Sequence, residues 1–358
     1  MSKLLKFISA IIVLIIVSVV FVILAYNNGI SAVSKEDLKV EFEVTENSTY
    51  LTLGSDLKEK DLIKSELFYK VYIKLNQPNE LQKGKYVLNK NMSVEEIIEV
   101  FSKGSSYNPD SITLTFKEGI NMRGIVKVIV ENTNNKEEDI YNLLKDEEYL
   151  NQLISKYWFL TDEIKNNKIY YSLEGYLYPD TYEYVNKDVT VKSIFEKMLD
   201  KMGTVLDSYK TDVENNKYSV HQILTLASIV ELEAAGTDDR AGVAGVFYNR
   251  LNNNWSLGSD VTTYYAFKID MSERDLFQSE LDSINDYNTR SSSMAGKLPI
   301  SPICIPSKES IKATLYPTTH NYFYFVADKN KKTYFNENYD GHIRIISKLK
   351  EENLWFTY

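Results

Sequence analysis

With one cysteine, Cys304, the 358-residue chain cannot form an intramolecular disulfide, and no cysteine stands near the N-terminus to carry a lipid anchor. Histidine is almost as scarce. His221, His320 and His342 do not share metal-ligand spacing with one another or with Cys304, so no metal and no cofactor are expected. A positive balance is also missing, since 41 Lys and Arg stand against 50 Asp and Glu. The resulting net charge of −9 gives no basic footprint for nucleic acid.

What the chain does have begins with an uncharged run, F-I-S-A-I-I-V-L-I-I-V-S-V-V-F-V-I-L-A at 7–25, long enough to cross a bilayer core as a helix. Lys3 and Lys6 precede it, and charges of both signs follow, which places the short tail 1–6 in the cytoplasm and the rest outside. The run is longer than the apolar part of a signal peptide, and Ser31-Ala32-Val33-Ser34 is a poor cleavage site. The expected order is therefore a tail at 1–6, a membrane span at 7–26 and a polar linker at 27–38.

From residue 39 the pattern is that of a small α+β module reaching 105. Val40–Val44 alternates as a half-buried strand, Leu57–Leu67 reads as a helix, Gly84–Leu88 as a second strand, and Ser93 caps a helix ending before Gly104. The remainder, 106–358, reads as a larger α+β domain. It opens with a strand at Ile112–Phe116, a turn at Glu118-Gly119 and a helix from Met122 to Val130. Helices at 137–145 and 147–156 follow. An aromatic, Gly- and Pro-containing loop, L-E-G-Y-L-Y-P-D-T-Y at 173–182, then precedes a helix from Val191 to Met202.

The most informative stretch runs from Ser219 to Gly236. Ser219 and Gln222 form a capping-box start, and Gly236 is the expected left-handed stop. Between them Val220, Ile223, Leu224, Ala227, Val230 and Ala234 define one apolar face, with Leu226, Ile229 and Leu232 making most of the other surface apolar. At about 100° per residue, Glu231 falls on that face and Glu233 on roughly the opposite side. Burial raises a carboxyl's pKa, so Glu231 reads equally as a neutral proton donor or as a structural group satisfied by a partner.

Taken together, these segments resemble a known family. L-E-G-Y-L-Y-P-D-T-Y at 173–182, L-A-S-I-V-E-L-E at 226–233, V-F-Y-N-R-L at 246–251, S-D-V-T at 259–262, Y-N-T at 287–289 and Y-F-V-A-D at 324–328 are similar, in order, to motifs of the endolytic murein transglycosylases. Upstream, 84–98 and 116–122 resemble the same family, whose N-terminal module is LysM-like. Gly258 stands where that family commonly has Gln, while Ser301 and Tyr316 fall in turns that differ from its pattern.

The resemblance implies an enzyme anchored in the cytoplasmic membrane that cuts peptidoglycan glycan strands internally, ends nascent chains and works beside peptidoglycan synthases. It implies that Glu231, as the single acid and base, cleaves the β-1,4 bond from N-acetylmuramic acid to N-acetylglucosamine and leaves a 1,6-anhydro end. Glu174, Asn249, Arg250, Ser259, Asp260, Tyr287 and Asn288 fall in the matching motifs and are expected to bind sugar, although Arg250 could instead pair with Asp260. A muramidase using a second carboxylate, or a non-catalytic wall-binding protein, are the alternatives.

Overall fold

The computed structural model describes residues 3–104 and 111–355, and the chain divides into two compact units, Met1–Asp110 and Ser111–Tyr358. The first unit begins with helix α1, Lys3–Ile30. Its segment Ile11–Ile30 is long and apolar enough to cross a membrane, and side chains such as Ile12, Val17, Phe21 and Leu24 lie exposed along it. The helix continues past the expected end at 26 because its last turn is held within the unit. Tyr26 meets Phe68 edge-on with ring centroids 5.9 Å apart, and Lys64 Nζ donates to Ser31 Oγ at 2.8 Å.

Next come β1 (Lys39–Val44), α2 (Tyr50–Glu59), α3 (Glu66–Asn76), β2 (Gly84–Asn89) and α4 (Val94–Lys103). Strands β1 and β2 pair antiparallel with Phe42 opposite Tyr86. Alternation sends Phe42 and Val44 into a core with Leu53, Leu57, Tyr69, Leu88, Ile97 and Phe101. The helix expected across Leu57–Leu67 is instead the junction of two helices. Asp61 adopts a left-handed φ of 55° and Ser65 caps α3 by accepting from Phe68 N–H. Leu62 and Ile63 are buried from the connecting loop, so they extend the apolar pattern without extending the helix.

The second unit is mostly helical with two small sheets. Strand β3 (Ile112–Thr115) leads to α5 (Met122–Asn132), α6 (Glu137–Leu143) and α7 (Glu147–Lys156). Strand β4 (Thr181–Tyr184) returns antiparallel to β3, with Leu114 opposite Tyr182. Helices α8 (Val191–Asp207), α9 (Lys210–Glu214), α10 (Val220–Glu233), α11 (Arg240–Asn252), α12 (Asp260–Ala266), α13 (Gln278–Leu281) and α14 (Lys308–Leu315) follow. The hairpin β5 (Tyr324–Ala327) and β6 (Thr333–Asn336) and helix α15 (Tyr339–Glu351) complete the unit.

Helix α10 is the element the unit is built around. Ser219 and Gln222 close the capping box at its start. Val220, Ile223, Leu224 and Ala227 enter one core cluster with α5, α7 and α8, whereas Leu226, Ile229 and Val230 enter a second with α11 and α12. A helix shared by two cores must be apolar nearly all round, which explains its composition. Its end differs from expectation. The helix stops at Glu233, Ala234 is extended, and Gly236 takes an extended φ of −148° rather than a left-handed cap. The extended exit feeds a 3-10 turn at Thr237–Asp239 that turns the chain into α11 at Arg240.

Candidate functional site

Glu231 lies in the last turn of α10, and its carboxylate is enclosed by hydrogen-bond donors. Oε1 accepts from Arg240 Nη2 at 2.9 Å. Oε2 accepts from Ser307 N–H at 2.9 Å, from the Ser307 hydroxyl, and from Ser310 Oγ at 2.7 Å. Ser307 is the N-cap of α14, so the carboxylate sits where orphan N–H groups and the positive end of the helix favour an anion. The Glu231 and Arg240 side chains are 6% and 12% exposed.

Burial alone pushes this carboxyl's pKa up, but the Ser307 and Ser310 hydroxyls, the Ser307 N–H and the Arg240 guanidinium together outweigh it and hold the group below the usual carboxylate range. Of the two readings left open for Glu231, a neutral donor or a group satisfied by partners, the four donors favour the second in the free protein. Outside this shell stand Glu118 and Glu309, both exposed. Burial and then repulsion from Glu231 and Glu309 raise the Glu118 pKa.

Glu233 leaves the same helix end on another side, as two residues' rotation of about 200° requires. It does not project to solvent. Oε1 accepts from Ser259 Oγ at 2.5 Å. Desolvation, with repulsion from Asp260, raises its pKa against the opposing effects of Ser259 and Arg250. One helix end therefore carries two carboxyls whose surroundings push them in opposite directions.

A cavity of about 500 Å³ is lined by Gly119 and by Leu232, the residue after Glu231, but not by Glu231 itself. Gly119, with φ +75°, lies on its wall so close to α10 that an added Cβ would stand 3.2 Å from Leu232 and 3.8 Å from Glu231 Cγ. Two backbone bonds fix this loop, Gly119 N–H to Ile305 O and Ile305 N–H to Ile120 O, each at 2.9 Å. Asn121, Arg123 and Lys127 of the α5 side and Tyr264, Tyr265 and Asp270 of the α12 side form the facing walls.

Among the other expected sugar-binding residues, the structure separates framework from surface. Glu174 is 1% exposed and accepts from Met122 N–H through both oxygens at 3.0 Å and from Tyr265 Oη at 2.9 Å. Desolvation raises its pKa to about 7. It braces two cavity walls from behind and does not face the cavity. Asn288 is fully enclosed, accepting from Thr263 Oγ1 and donating to Leu281 and Ser283 carbonyls. Tyr287 shares a 2.9 Å hydrogen bond with Ser301 Oγ. Ser259 is buried against Glu233 and Thr289. These four are held by internal hydrogen bonds, and Tyr287 also lines a separate cavity of about 800 Å³ with Lys168, Tyr170 and Asp286.

Arg250 does not pair with Asp260. Its Nε donates to Phe323 O at 2.8 Å and its Nη1 to Leu257 O, while Asp260, half exposed, pairs with Arg290 at 2.6 Å. Asn249 donates to the His320 and Tyr322 carbonyls and lines a separate cavity of about 470 Å³ with Tyr218, Tyr248 and His320. The departures in sequence are accommodated here. Gly258 adopts φ +64°, with Arg250 Nη1 3.3 Å from where a Cβ would stand, and the Tyr316 hydroxyl bonds Asp212.

Sequence reasoning missed Arg240, Ser307 and Ser310 as site residues. Arg240 was visible only as part of a helix start, while S-K-E-S at 307–310 signals a serine-capped helix without indicating what else that serine would bind. Among the described residues, no group of three potential metal ligands converges.

The sequence profile of the YceG-like family matches residues 42–348. The chain belongs to the YceG-like family. Among its relatives in that family, the endolytic murein transglycosylase of Bacillus subtilis strain 168 is 32% identical over 314 residues, covering 87% of this chain and 84% of that protein. The endolytic murein transglycosylase of Streptococcus pneumoniae D39 is 31% identical over 321 residues, covering 85% of this chain and 57% of a longer protein. A YceG-like protein of Listeria monocytogenes, solved by crystallography at 2.6 Å, is 30% identical. It superposes with a TM-score of 0.61 over 87% of this chain and all of that one.

Proposed function

We propose that this YceG-like protein is a membrane-anchored endolytic murein transglycosylase with Glu231 as its single acid and base. The observation that carries the reading is an enclosed, multiply hydrogen-bonded carboxylate at the end of the shared core helix, in the motif where the resemblance puts the family's catalytic glutamate.

In the first step the Glu231 carboxyl gives its proton to the leaving oxygen as the bond from C1 of N-acetylmuramic acid to O4 of N-acetylglucosamine breaks. In the second, the muramic 6-hydroxyl gives its proton to the same carboxylate as O6 bonds C1, closing the 1,6-anhydro ring. No water is consumed, and the carboxyl ends as it began. The ionised state that these donors favour suits the second step. Glycan binding that draws Arg240 or the serine hydroxyls away from the carboxylate raises its pKa and prepares the first.

The β-α-α-β order of the first unit supports a LysM-like module that holds glycan, and the apolar Ile11–Ile30 segment supports a single-pass anchor with a cytoplasmic N-terminus. An anchored cutter meets strands as they leave the membrane, which makes chain termination beside the synthases its role. A muramidase is the second reading, favoured by the opposed pKa shifts of Glu231 and Glu233. Mass spectrometry of digested uncrosslinked strands separates the two: anhydro-muramic ends support the proposal, and reducing muramic ends replace it with hydrolysis.

A further inference from the structure

The surroundings of Glu231 are electrostatically lopsided. On one side Glu118 and Glu309 are exposed, and Glu118 is repelled by both Glu231 and Glu309, with Arg240 opposing that repulsion. On the cavity side the signs reverse. Arg123 and Lys127 lie one turn apart on α5, line the same cavity, and therefore share a helix face. Asp270 is the one carboxylate among the described lining residues, and it is paired with Arg123 at 2.9 Å from a side chain 72% exposed. Lys127 is 73% exposed and 3.9 Å from Glu131, a contact too open to hold it tightly.

The rest of the cavity is amphipathic. Leu232, Ile269 and Ile303 offer apolar wall, with Tyr264 and Tyr265 beside them. Its volume of about 500 Å³ falls within the range of roughly 300–1,000 Å³ common for small-ligand sites. A pocket with a basic pair on one wall and aromatic and aliphatic residues on the others suits a ligand that is both peptidic and acidic. Glycan built of N-acetylated sugars carries no charge of its own, whereas the peptide on the lactyl group of a muramic unit carries carboxylates.

We propose that the cavity walled by Gly119 and Leu232, next along the chain from Glu231, is a specificity site for the acidic stem peptide of a muramic unit, with Arg123 and Lys127 receiving its carboxylates and Asp270 acting as the internal competitor. This rests on the transglycosylase reading, which supplies the substrate. The site makes the enzyme prefer peptide-bearing strands to bare ones, and it predicts opposite effects from charges of opposite sign on one wall.

The test uses the full-length protein in detergent with two substrates, uncrosslinked peptide-bearing strands and the same strands stripped by an amidase. Wild type should show a kcat/KM about three- to tenfold higher on the peptide-bearing strands, the scale expected of two partly exposed charge contacts. Arg123→Ala with Lys127→Ala should bring that ratio close to one, and Asp270→Asn, which frees Arg123, should raise it. Equal rates of wild type on both substrates, or variants that change both rates alike, overturn the proposal. A second readout is independent of the chemistry: an isolated muramoyl tetrapeptide should bind the Glu231→Gln protein, and bind the double variant several-fold more weakly. If strands are cut to reducing ends, the reaction assignment fails while this binding result still decides the peptide site.

Discussion

Ser307 gives both its backbone N–H and its hydroxyl to one oxygen of Glu231, across 76 residues of chain. The same hydroxyl accepts from Ser310 N–H as the cap of α14. Capping a helix and holding the carboxylate are thus one arrangement, and with Ser310 and Arg240 it holds the Glu231 pKa down in the free protein.

The first prediction follows from that carboxylate. Glu231→Gln keeps the size of the side chain and removes the transferable proton, so release of anhydro-muramic ends should fall by about 10²–10⁴-fold or more, because one residue serves both steps. Glu233→Gln should cost far less. Product quantification on uncrosslinked strands measures both, and full activity in the Glu231 variant would remove it from the mechanism.

A second expectation concerns pH. The free enzyme must carry a proton on Glu231 to act as the acid, yet its donors hold the pKa below the usual range, so kcat/KM should fall as pH rises through that lowered value. Arg240→Gln removes an opposing charge and should move the falling limb upward by about one pH unit, whatever it does to the absolute rate. An unmoved limb in the variant's profile would mean that Arg240 does not control this proton.

Glu174 supplies a prediction of stability. Its folded pKa, about 7, lies above its ordinary value of 4.5, so the folded protein holds this proton where the unfolded chain has lost it. The contribution is fully present below about pH 4.5 and is lost as pH rises through about 7. Relative to Glu174→Gln, wild-type stability should decline across that window by on the order of 3 kcal/mol and then level off. Denaturant unfolding at several pH values, with wild type and variant compared, reads the difference, and parallel curves would show that the group does not titrate there.

Topology can be checked directly. The uncharged helix segment and the lysines before it lead to residues 27–358 lying outside the cytoplasmic membrane while remaining attached to it. Protease added to intact wall-stripped cells should degrade this region, and complete protection would contradict the orientation.

What the sequence determined by itself was local and periodic. The capping box at Ser219, the apolar faces of α10, the alternation in β1 and the 19-residue uncharged run are set by neighbouring residues, so spacing reveals them. Ordered motifs carried the family. The split in Leu57–Leu67 was hidden because Leu62 and Ile63 are buried from a loop as well as they would be from a helix, and apolar spacing does not distinguish the two. The state of Glu231 was decided only by tertiary structure. Phase placed it on a buried face, where desolvation alone would keep it neutral, but Arg240 and the two serines arrive from other helices and reverse the sign. Glu174 went the other way. Its motif suggested a sugar contact, and the fold enclosed it behind Met122 and Tyr265 and, among the described residues, gave it no ion pair. A carboxyl's charge and access depend on donors brought together by folding across tens to hundreds of residues, and no local pattern in the chain encodes that meeting.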